Sequence, residues 1–402
     1  MNEEILLDIE ECVRCGSCKA LCPTHTLSPV EPLSARGRLM LVRALARGEI
    51  ECSGLLQERL LSCLLCGVCE STCPAGVHVT RALFEGRREV ARKNARVRRL
   101  GRLTARALKM PAASFRVARA ARPLLPRLRK RGLLPFDLPL PDEAPLRKGG
   151  SRVLKPRGRP RGRVAVFTGC VVNFLMPHLG EALLRLLLAQ GYEVVLPAGE
   201  ACCGSPLLLL GREKEAVEMA RRNLSVFGKL QVQAVLSLCP TCTVTLREHY
   251  PLCVGEGLAR AMDATAFLRG EDLALEPEKA EGAAAFHDPC HLRYALGVWE
   301  EPRELMRRAG LDVLEAEQGC CGLSAALTHR ETSEALLERR ARAYAPAHTL
   351  VTACPGCMLQ LSRVHGRVLH LVEVLEGAMR EPREAGPGGG TEVGAERVEG
   401  RG

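Results

Sequence analysis

Cys12-Val13-Arg14-Cys15-Gly16-Ser17-Cys18-Lys19-Ala20-Leu21-Cys22-Pro23 and Cys63-Leu64-Leu65-Cys66-Gly67-Val68-Cys69-Glu70-Ser71-Thr72-Cys73-Pro74 are two copies of one cysteine run, C-x2-C-x2-C-x3-C-P. A run with this spacing supplies three thiolates to one [4Fe–4S] cluster by local folding and passes its fourth to a second cluster. The first cluster is therefore expected on Cys12, Cys15, Cys18 and the distant Cys73, and the second on Cys63, Cys66, Cys69 and the distant Cys22. Pro23 and Pro74 turn the chain away after each fourth ligand. Zinc is the alternative occupant, but it prefers paired C-x2–4-C ligands.

Further along the chain, ten more cysteines repeat. One copy reads Cys170-x31-Cys202-Cys203-Gly204-x34-Cys239-Pro240-Thr241-Cys242. The other reads Cys290-x29-Cys320-Cys321-Gly322-x31-Cys354-Pro355-Gly356-Cys357. Each of these positions follows a short β-like run and precedes a helical pattern. Strands are expected at 164–167, 193–196 and 234–238 in the first copy, with helices at 178–190 and 212–229 between them. Runs at 283–286, 313–315 and 350–352 recur in the second. Such alternation implies βαβ units with a parallel sheet, whose function gathers at the carboxyl ends of the strands. All five cysteines of each copy should then converge in one α/β lobe. Neighbouring cysteines rarely reach one zinc ion together, whereas a larger polynuclear centre can use both, so further iron–sulfur clusters are expected in the lobes. Zinc or unpaired buried thiols are the alternatives. Gly204 and Gly322 let the backbone approach such a centre, and Pro240 and Pro355 stiffen turns at helix starts.

Of the 402 residues 47% are apolar but only 3% aromatic, so the core is built from Leu, Val and Ala, and base-stacking nucleic-acid modules are disfavoured. The start Met1-Asn2-Glu3-Glu4-Ile5 has no apolar signal region, and no apolar run approaches the roughly 18 residues that span a bilayer. A cytoplasmic chain with reduced thiols is expected, at most peripheral on the inner face of the cell membrane. The net charge of +11 is local: Arg87 to Arg131 carries 17 Lys or Arg against the single acid Glu89, leaving the rest of the chain at −5. There Val97, Leu100, Leu103 and Ala107 recur as on an amphipathic helix lying against a partner or an anionic lipid surface, with a merely solvated helix as the alternative. No nucleic acid is expected.

The fold class that follows is a multidomain α+β and α/β chain: a mainly helical, ferredoxin-like head for two [4Fe–4S] clusters, then two similar α/β lobes with parallel sheets. Its expected parts are the head (1–86), a basic helical segment (87–131), a Pro/Gly-rich linker (132–162), a first cysteine-rich domain (163–275), a second (281–380) and a disordered tail (381–402).

On these residues the chain resembles the iron–sulfur subunit of glycolate oxidase, and also the related subunits of anaerobic glycerol-3-phosphate dehydrogenase and heterodisulfide reductase. The most specific matches are Cys12-Val13-Arg14-Cys15-Gly16, Ser34-Ala35-Arg36-Gly37-Arg38, Cys63-Leu64-Leu65-Cys66-Gly67, Phe167-Thr168-Gly169-Cys170 and His287-Asp288-Pro289-Cys290-His291. The resemblance implies a non-flavin subunit of an oxidoreductase. Its FAD-containing partner subunits oxidise a 2-hydroxy acid, and electrons pass towards a quinone. In the heterodisulfide reductase branch each five-cysteine set holds a non-cubane [4Fe–4S] cluster that does disulfide chemistry, and both sets are complete here. The Ser34–Arg38 element and the N-terminal head favour the glycolate branch. An absent flavin has independent support, because no G-x-G-x-x-G follows an expected strand and opens a helix. Hydride removal then belongs to another chain, and this one has no catalytic residue of its own.

Four residues near these motifs and two outlying cysteines complete the reading. His287 and His291 bracket Cys290 and either hydrogen-bond to cluster sulfurs or, with Asp288, tie down the strand end. Arg36 and Arg38 either brace the head or neutralise cluster charge. Cys52 and Cys253 lie outside every motif and are expected to be ordinary small buried residues.

Overall fold

From Glu3 to Ala120 every regular element is a helix in this computed structural model, which describes residues 3–120, 123, 144–147, 149–276 and 283–379. Residues 132–143 and 148 of the expected linker and the whole expected tail lie outside the described residues. Helices α1 (Glu3–Glu10), α4 (Ala35–Ala46), α5 (Gly54–Leu61) and α7 (Val79–Lys93) meet in a core of Ile5, Ile9, Leu39, Val42, Leu60, Leu83 and Val90. Ser34 and Ser53 cap α4 and α5 by accepting hydrogen bonds from the Gly37 and Leu56 amides. Inside the cysteine runs sit the short helices α2 (Ser17–Ala20), α3 (Pro23–Leu27) and α6 (Val68–Ser71). Asn94 ends α7 and caps α8 (Ala95–Lys109), which α9 (Pro111–Ala120) follows.

Two sheets make up the rest. The first comprises β1 (Arg152–Leu154), β2 (Gly162–Val166), β3 (Tyr192–Leu196), β4 (Ala234–Ser237) and β5 (Ala261–Asp263), in the order β1-β3-β2-β4-β5. The second comprises β6 (Ala284–His287), β7 (Val313–Leu314), β8 (Thr349–Thr352) and β9 (Val368–His370), in the order β7-β6-β8-β9. All pairings are parallel except β1 with β3. Without β1, the two sheets share one order of their first, second, third and fourth strands, so the cysteine repeat is also a repeat of topology. Strands β4, β6 and β8 are buried along their whole length, as expected of parallel strands covered on both faces. Helices Pro177–Ala189 and Glu213–Phe227 make the crossovers in the first sheet, and Glu301–Arg308 and Arg330–Tyr344 those in the second.

One apolar core joins the two sheets, bringing Leu183 and Leu187 of the first to Phe286, Met306, Leu371 and Leu375 of the second. Two details depart from the sequence reading. Residues 152–154, expected in the linker, form an antiparallel edge strand on β3, a place where the neighbouring Pro156 is tolerated. On α8 the packed stripe is Val97, Gly101 and Ala105, not one through Leu103, which is 62% exposed. Gly101 leaves the space that the Arg212 side chain occupies, so a small residue rather than a large apolar one sets the contact face.

Candidate metal centres

The two head runs fold alike. Arg14 and Leu65, each between the first two cysteines of its run, hold positive φ of 58° and 52°. Gly16 and Gly67 follow at 87° and 77° and open α2 and α6. Alternating conformations of this kind turn successive amides inward around a point. One cavity is lined by Cys22, Cys63, Cys66 and Cys69. The other is lined by Cys12, Cys15, Cys18 and Cys73, and by Cys69 as well. The fold thus gathers the crossed sets expected from spacing, and four soft sulfurs around each cavity suit an iron–sulfur cluster.

Their surroundings differ. Cys15 is exposed, and its hydrogen bond with Ser17 lowers its thiol below the ordinary range. Arg36 lies near this site, donating to the Arg14 carbonyl and pairing with Glu31. Around the second cavity Cys22 and Cys66 are buried, and burial pushes Cys66 and Cys69 well above the ordinary range. Two fully buried arginines stand behind it. Arg38 donates to the Thr24 and Ser62 hydroxyls and to the Leu33 and Arg59 carbonyls. Arg87 donates to the carbonyls of Leu60, Leu61, Cys63 and Leu209. Neither has a carboxylate partner among the described residues. Arg87 was not singled out from sequence, although a signal existed: it falls on the buried stripe of α7 between Leu83 and Val90. Gly37 explains the Ser34–Arg38 element, since a Cβ there would lie 1.9 Å from the Glu31 carbonyl oxygen.

In each lobe the five cysteines collect at the carboxyl ends of the strands. In the first, Cys202 donates to Cys170 across 3.9 Å and contacts Cys203, and Cys242 contacts Cys203 and Cys239. In the second, Cys320 contacts Cys290 and Cys321, Cys321 donates to Cys357 across 3.5 Å, and Cys357 contacts Cys354. Gly204 and Gly322, at φ 92° and 82°, start the helices that follow the paired cysteines, and Pro240 and Pro355 occupy first helical positions. Cys354 also hydrogen-bonds to Cys239, so the two five-sulfur sets touch.

The second set touches the head as well. Cys66, Leu64 and Val68 share an apolar cluster with Cys320, Ala325 and Leu336, with Cys290 packed against it. Ser324 donates to the Leu64 carbonyl and Thr328 to that of Leu61. His291 bridges three parts of the chain: one ring nitrogen lies 2.8 Å from the Thr241 hydroxyl, the other 2.9 Å from the Leu65 carbonyl. Burial holds this histidine below its ordinary range, so it acts as a neutral strut. Asp288 pairs with Arg293 and Arg303. In the first lobe, buried Glu200 accepts from the Thr168 and Gly169 amides and so holds the turn before Cys170. The strand-end role considered for Asp288 and the histidines fits Asp288 and His291. His287 is different: it faces Tyr344 on one side and Cys321 and Cys357 on the other. Cys52 and Cys253 are half-buried, and burial raises both thiols, Cys253 to about 12.

The basic segment presents an unpaired face. Arg96, Arg99, Arg102 and Arg106 of α8 and Arg116 and Arg119 of α9 are exposed, and none makes an ion pair among the described residues. Leu103, Met110 and Val117, 62–68% exposed, lie among them. No helix of the described residues is long and apolar enough to cross a membrane.

A helical head with two four-sulfur cavities and a pair of five-sulfur lobes defines an iron–sulfur protein that carries several clusters. Residues 8–77 match the family described as a 4Fe-4S dicluster domain, and residues 164–247 and 284–362 match the cysteine-rich domain family. The probable glycolate oxidase iron-sulfur subunit of Bacillus subtilis is 30% identical over 90% of this chain and 89% of its own. The glycolate oxidase iron-sulfur subunit of Escherichia coli is 30% identical over 93% and 95%. The chain belongs to the glycolate oxidase iron–sulfur subunit family. It is also similar, at 26% identity over 89% of both chains, to one subunit of the dihydromethanophenazine:CoB–CoM heterodisulfide reductase of Methanosarcina acetivorans. A crystal structure of a hypothetical protein from Helicobacter pylori shares the fold, with a TM-score of 0.50 and 10% identity over 96% of this chain and 74% of that one.

Proposed function

We propose that this chain is the electron-transfer subunit of a flavin-dependent 2-hydroxy-acid dehydrogenase of glycolate type. It takes electrons from FAD on partner subunits and passes them towards a quinone. One observation supports this reading above the others: the four groups of sulfur ligands are contiguous, from the head through Cys66 and Cys290 to the second lobe, and through Cys354 and Cys239 to the first. When bound, the clusters supply one-electron carriers. Cys12, Cys15, Cys18 and Cys73 would hold one of them, and Cys63, Cys66, Cys69 and Cys22 another. The two lobe sets would hold the rest: Cys170, Cys202, Cys203, Cys239 and Cys242, and Cys290, Cys320, Cys321, Cys354 and Cys357. The chain's own residues keep the path dry and fixed: Leu64 and Val68 exclude water between head and second lobe, and His291 locks the Leu65 and Thr241 loops together.

Peripheral docking on an anionic membrane surface, near a quinone, fits the unpaired arginines of α8 and α9 with Leu103, Met110 and Val117 among them. The test of the main reading is to assay the purified iron-loaded chain with glycolate and lactate, alone and with its co-encoded flavoproteins. Reduction of its clusters is expected only with the flavoprotein present. Oxidation of either acid by the chain alone refutes the proposal.

A second reading, thiol–disulfide chemistry at the lobes, is favoured by the direct contact of two complete five-cysteine sets. It predicts that a thiol or disulfide changes the paramagnetic signals of the lobes, and spectra that stay the same across a thiol panel count against it.

A further inference from the structure

We propose that His287 is a sixth ligand of the second five-cysteine centre, binding one of its metal ions through Nε2, so that the two lobes hold chemically different centres. A ring nitrogen of His287 and the sulfurs of Cys321 and Cys357 lie within 4.8 Å of one another, and all three side chains are buried. The other ring nitrogen, Nδ1, is engaged 2.9 Å from the Tyr344 hydroxyl. Nε2 is fully buried and has no hydrogen-bond partner. A buried polar atom left unpaired costs about 1–3 kcal/mol and calls for an explanation.

Hydrogen bonding around the ring offers Nδ1 an acceptor for its hydrogen. Gln318 Nε2 donates to the carbonyls of Phe286 and Ala316, while its Oε1 accepts from the Asp288 amide. That orientation leaves Oε1 as the acceptor for the Tyr344 hydroxyl, 3.4 Å away. With its proton given to Gln318, the Tyr344 oxygen can accept from Nδ1–H, the tautomer that leaves the Nε2 lone pair free for a metal ion; the other tautomer would donate from Nε2 to Cys321. In the first tautomer Nε2 presents a lone pair towards the sulfurs of Cys321 and Cys357. A lone pair facing thiolates is repelled unless a cation stands between, and a metal-bound histidine ordinarily donates its other N–H to an oxygen partner, as Nδ1 does here.

The first lobe supplies the internal control. Phe167 stands three residues before Cys170, as His287 stands three before Cys290. Phe227 and Tyr344 are the last residues of corresponding crossover helices. The ring pairs also correspond, with centroids 5.5 Å apart for Phe167 and Phe227 and 5.7 Å for His287 and Tyr344. Where one copy has a dry aromatic pair, the other has a ligand and the group that orients it. The two centres therefore differ by one nitrogen ligand, and the one that carries it touches the head.

The inference rests on the proposed reading that the second five-cysteine set holds iron, and the test separates the two. The full chain is loaded with 57Fe, with histidine either at natural abundance or labelled with 15N, and its iron content is measured first. Pulsed EPR on the second centre should show the strong coupling of a directly bound ring nitrogen, altered by the isotope and lost in His287→Phe, which installs the residue of the first lobe. Mössbauer spectra should also differ between wild type and His287→Phe, whether or not the centre is paramagnetic. Tyr344→Phe should keep the nitrogen coupling. Iron at the second set with no isotope effect, or with identical Mössbauer spectra, overturns the ligand and leaves the relay standing. No iron at that set overturns both. Should His287→Phe not fold, the isotope comparison in the wild type decides.

Discussion

Replacing Arg87 with Met should loosen the seam between the head and the first lobe. The guanidinium is fully buried and donates to four carbonyls: Leu60 and Leu61 at the end of α5, Cys63, and Leu209 of the first lobe at 3.0 Å. Leaving four buried acceptors without a donor costs ~1–2 kcal/mol each, or ~4–8 kcal/mol in all. Removing the charge offsets part of this. Burial pulls the Arg87 guanidinium from 12.5 to about 10, against the opposing pull of Cys63. At ~1.4 kcal/mol per pKa unit that penalty is ~3 kcal/mol. The net loss is on the order of 3 kcal/mol, roughly a hundredfold in the local opening equilibrium. Amide hydrogen exchange on the iron-loaded chain should show this as lost protection in Ser205–Leu209 and Val79–Lys93 together, since Arg87 ties the two. Arg87→Lys keeps the charge but cannot span four acceptors, so it should fall between wild type and Met. Wild-type protection of both segments in Arg87→Met would refute the reasoning.

Three further outcomes follow from particular contacts. Cys73→Ser and Cys12→Ser should abolish the same cluster signal, and Cys22→Ser and Cys63→Ser the other, because the cavities are lined by crossed sets; loss paired by sequence run instead refutes the crossing. Gly322→Ala should lower the thermal midpoint more than Gly204→Ala. Both incur ~1–2 kcal/mol for a side chain at positive φ, but the new Cβ would meet the Ser333 carbonyl at 2.8 Å in one and nothing closer than 3.4 Å in the other. The hydrogen bond from Arg36, then that from Lys19, holds the Glu31 carboxyl at about 2, below its ordinary 4.5. Its contribution is therefore complete above pH 4.5 and lost as the pH falls towards 2. Glu31 is 42% exposed, so that contribution is under about 1 kcal/mol. The difference in urea midpoint between wild type and Glu31→Gln should close over that interval.

The local pieces of the site were legible because they depend on short-range rules. Strands before Cys170, Cys202, Cys239, Cys290, Cys320 and Cys354 showed as apolar runs, and they fall within a residue or two of β2, β3, β4, β6, β7 and β8. Pro240 and Pro355 announced helix starts through their missing amides, and Gly204 and Gly322, expected as places where the backbone comes close to the centre, take left-handed conformations. The stripe on α8 was misplaced because periodicity ranks residues by hydrophobicity, whereas the contact there is set by the lack of a side chain at Gly101.

What the sequence alone determined was which thiols belong together, because ligand sets follow from spacing within a turn and from the βαβ repeat. Only the tertiary structure decided how the sets adjoin: Cys66 beside the second lobe, Cys354 against Cys239, Arg87 tying Cys63 to Leu209. It also decided the surroundings of His287. Its chain neighbours Asp288 and Cys290 suggested a helper of the cluster, but its ring lies between Tyr344 and the sulfurs of Cys321 and Cys357, all remote from it along the chain. Such surroundings depend on partners brought together by packing, and residue order along the chain does not specify them.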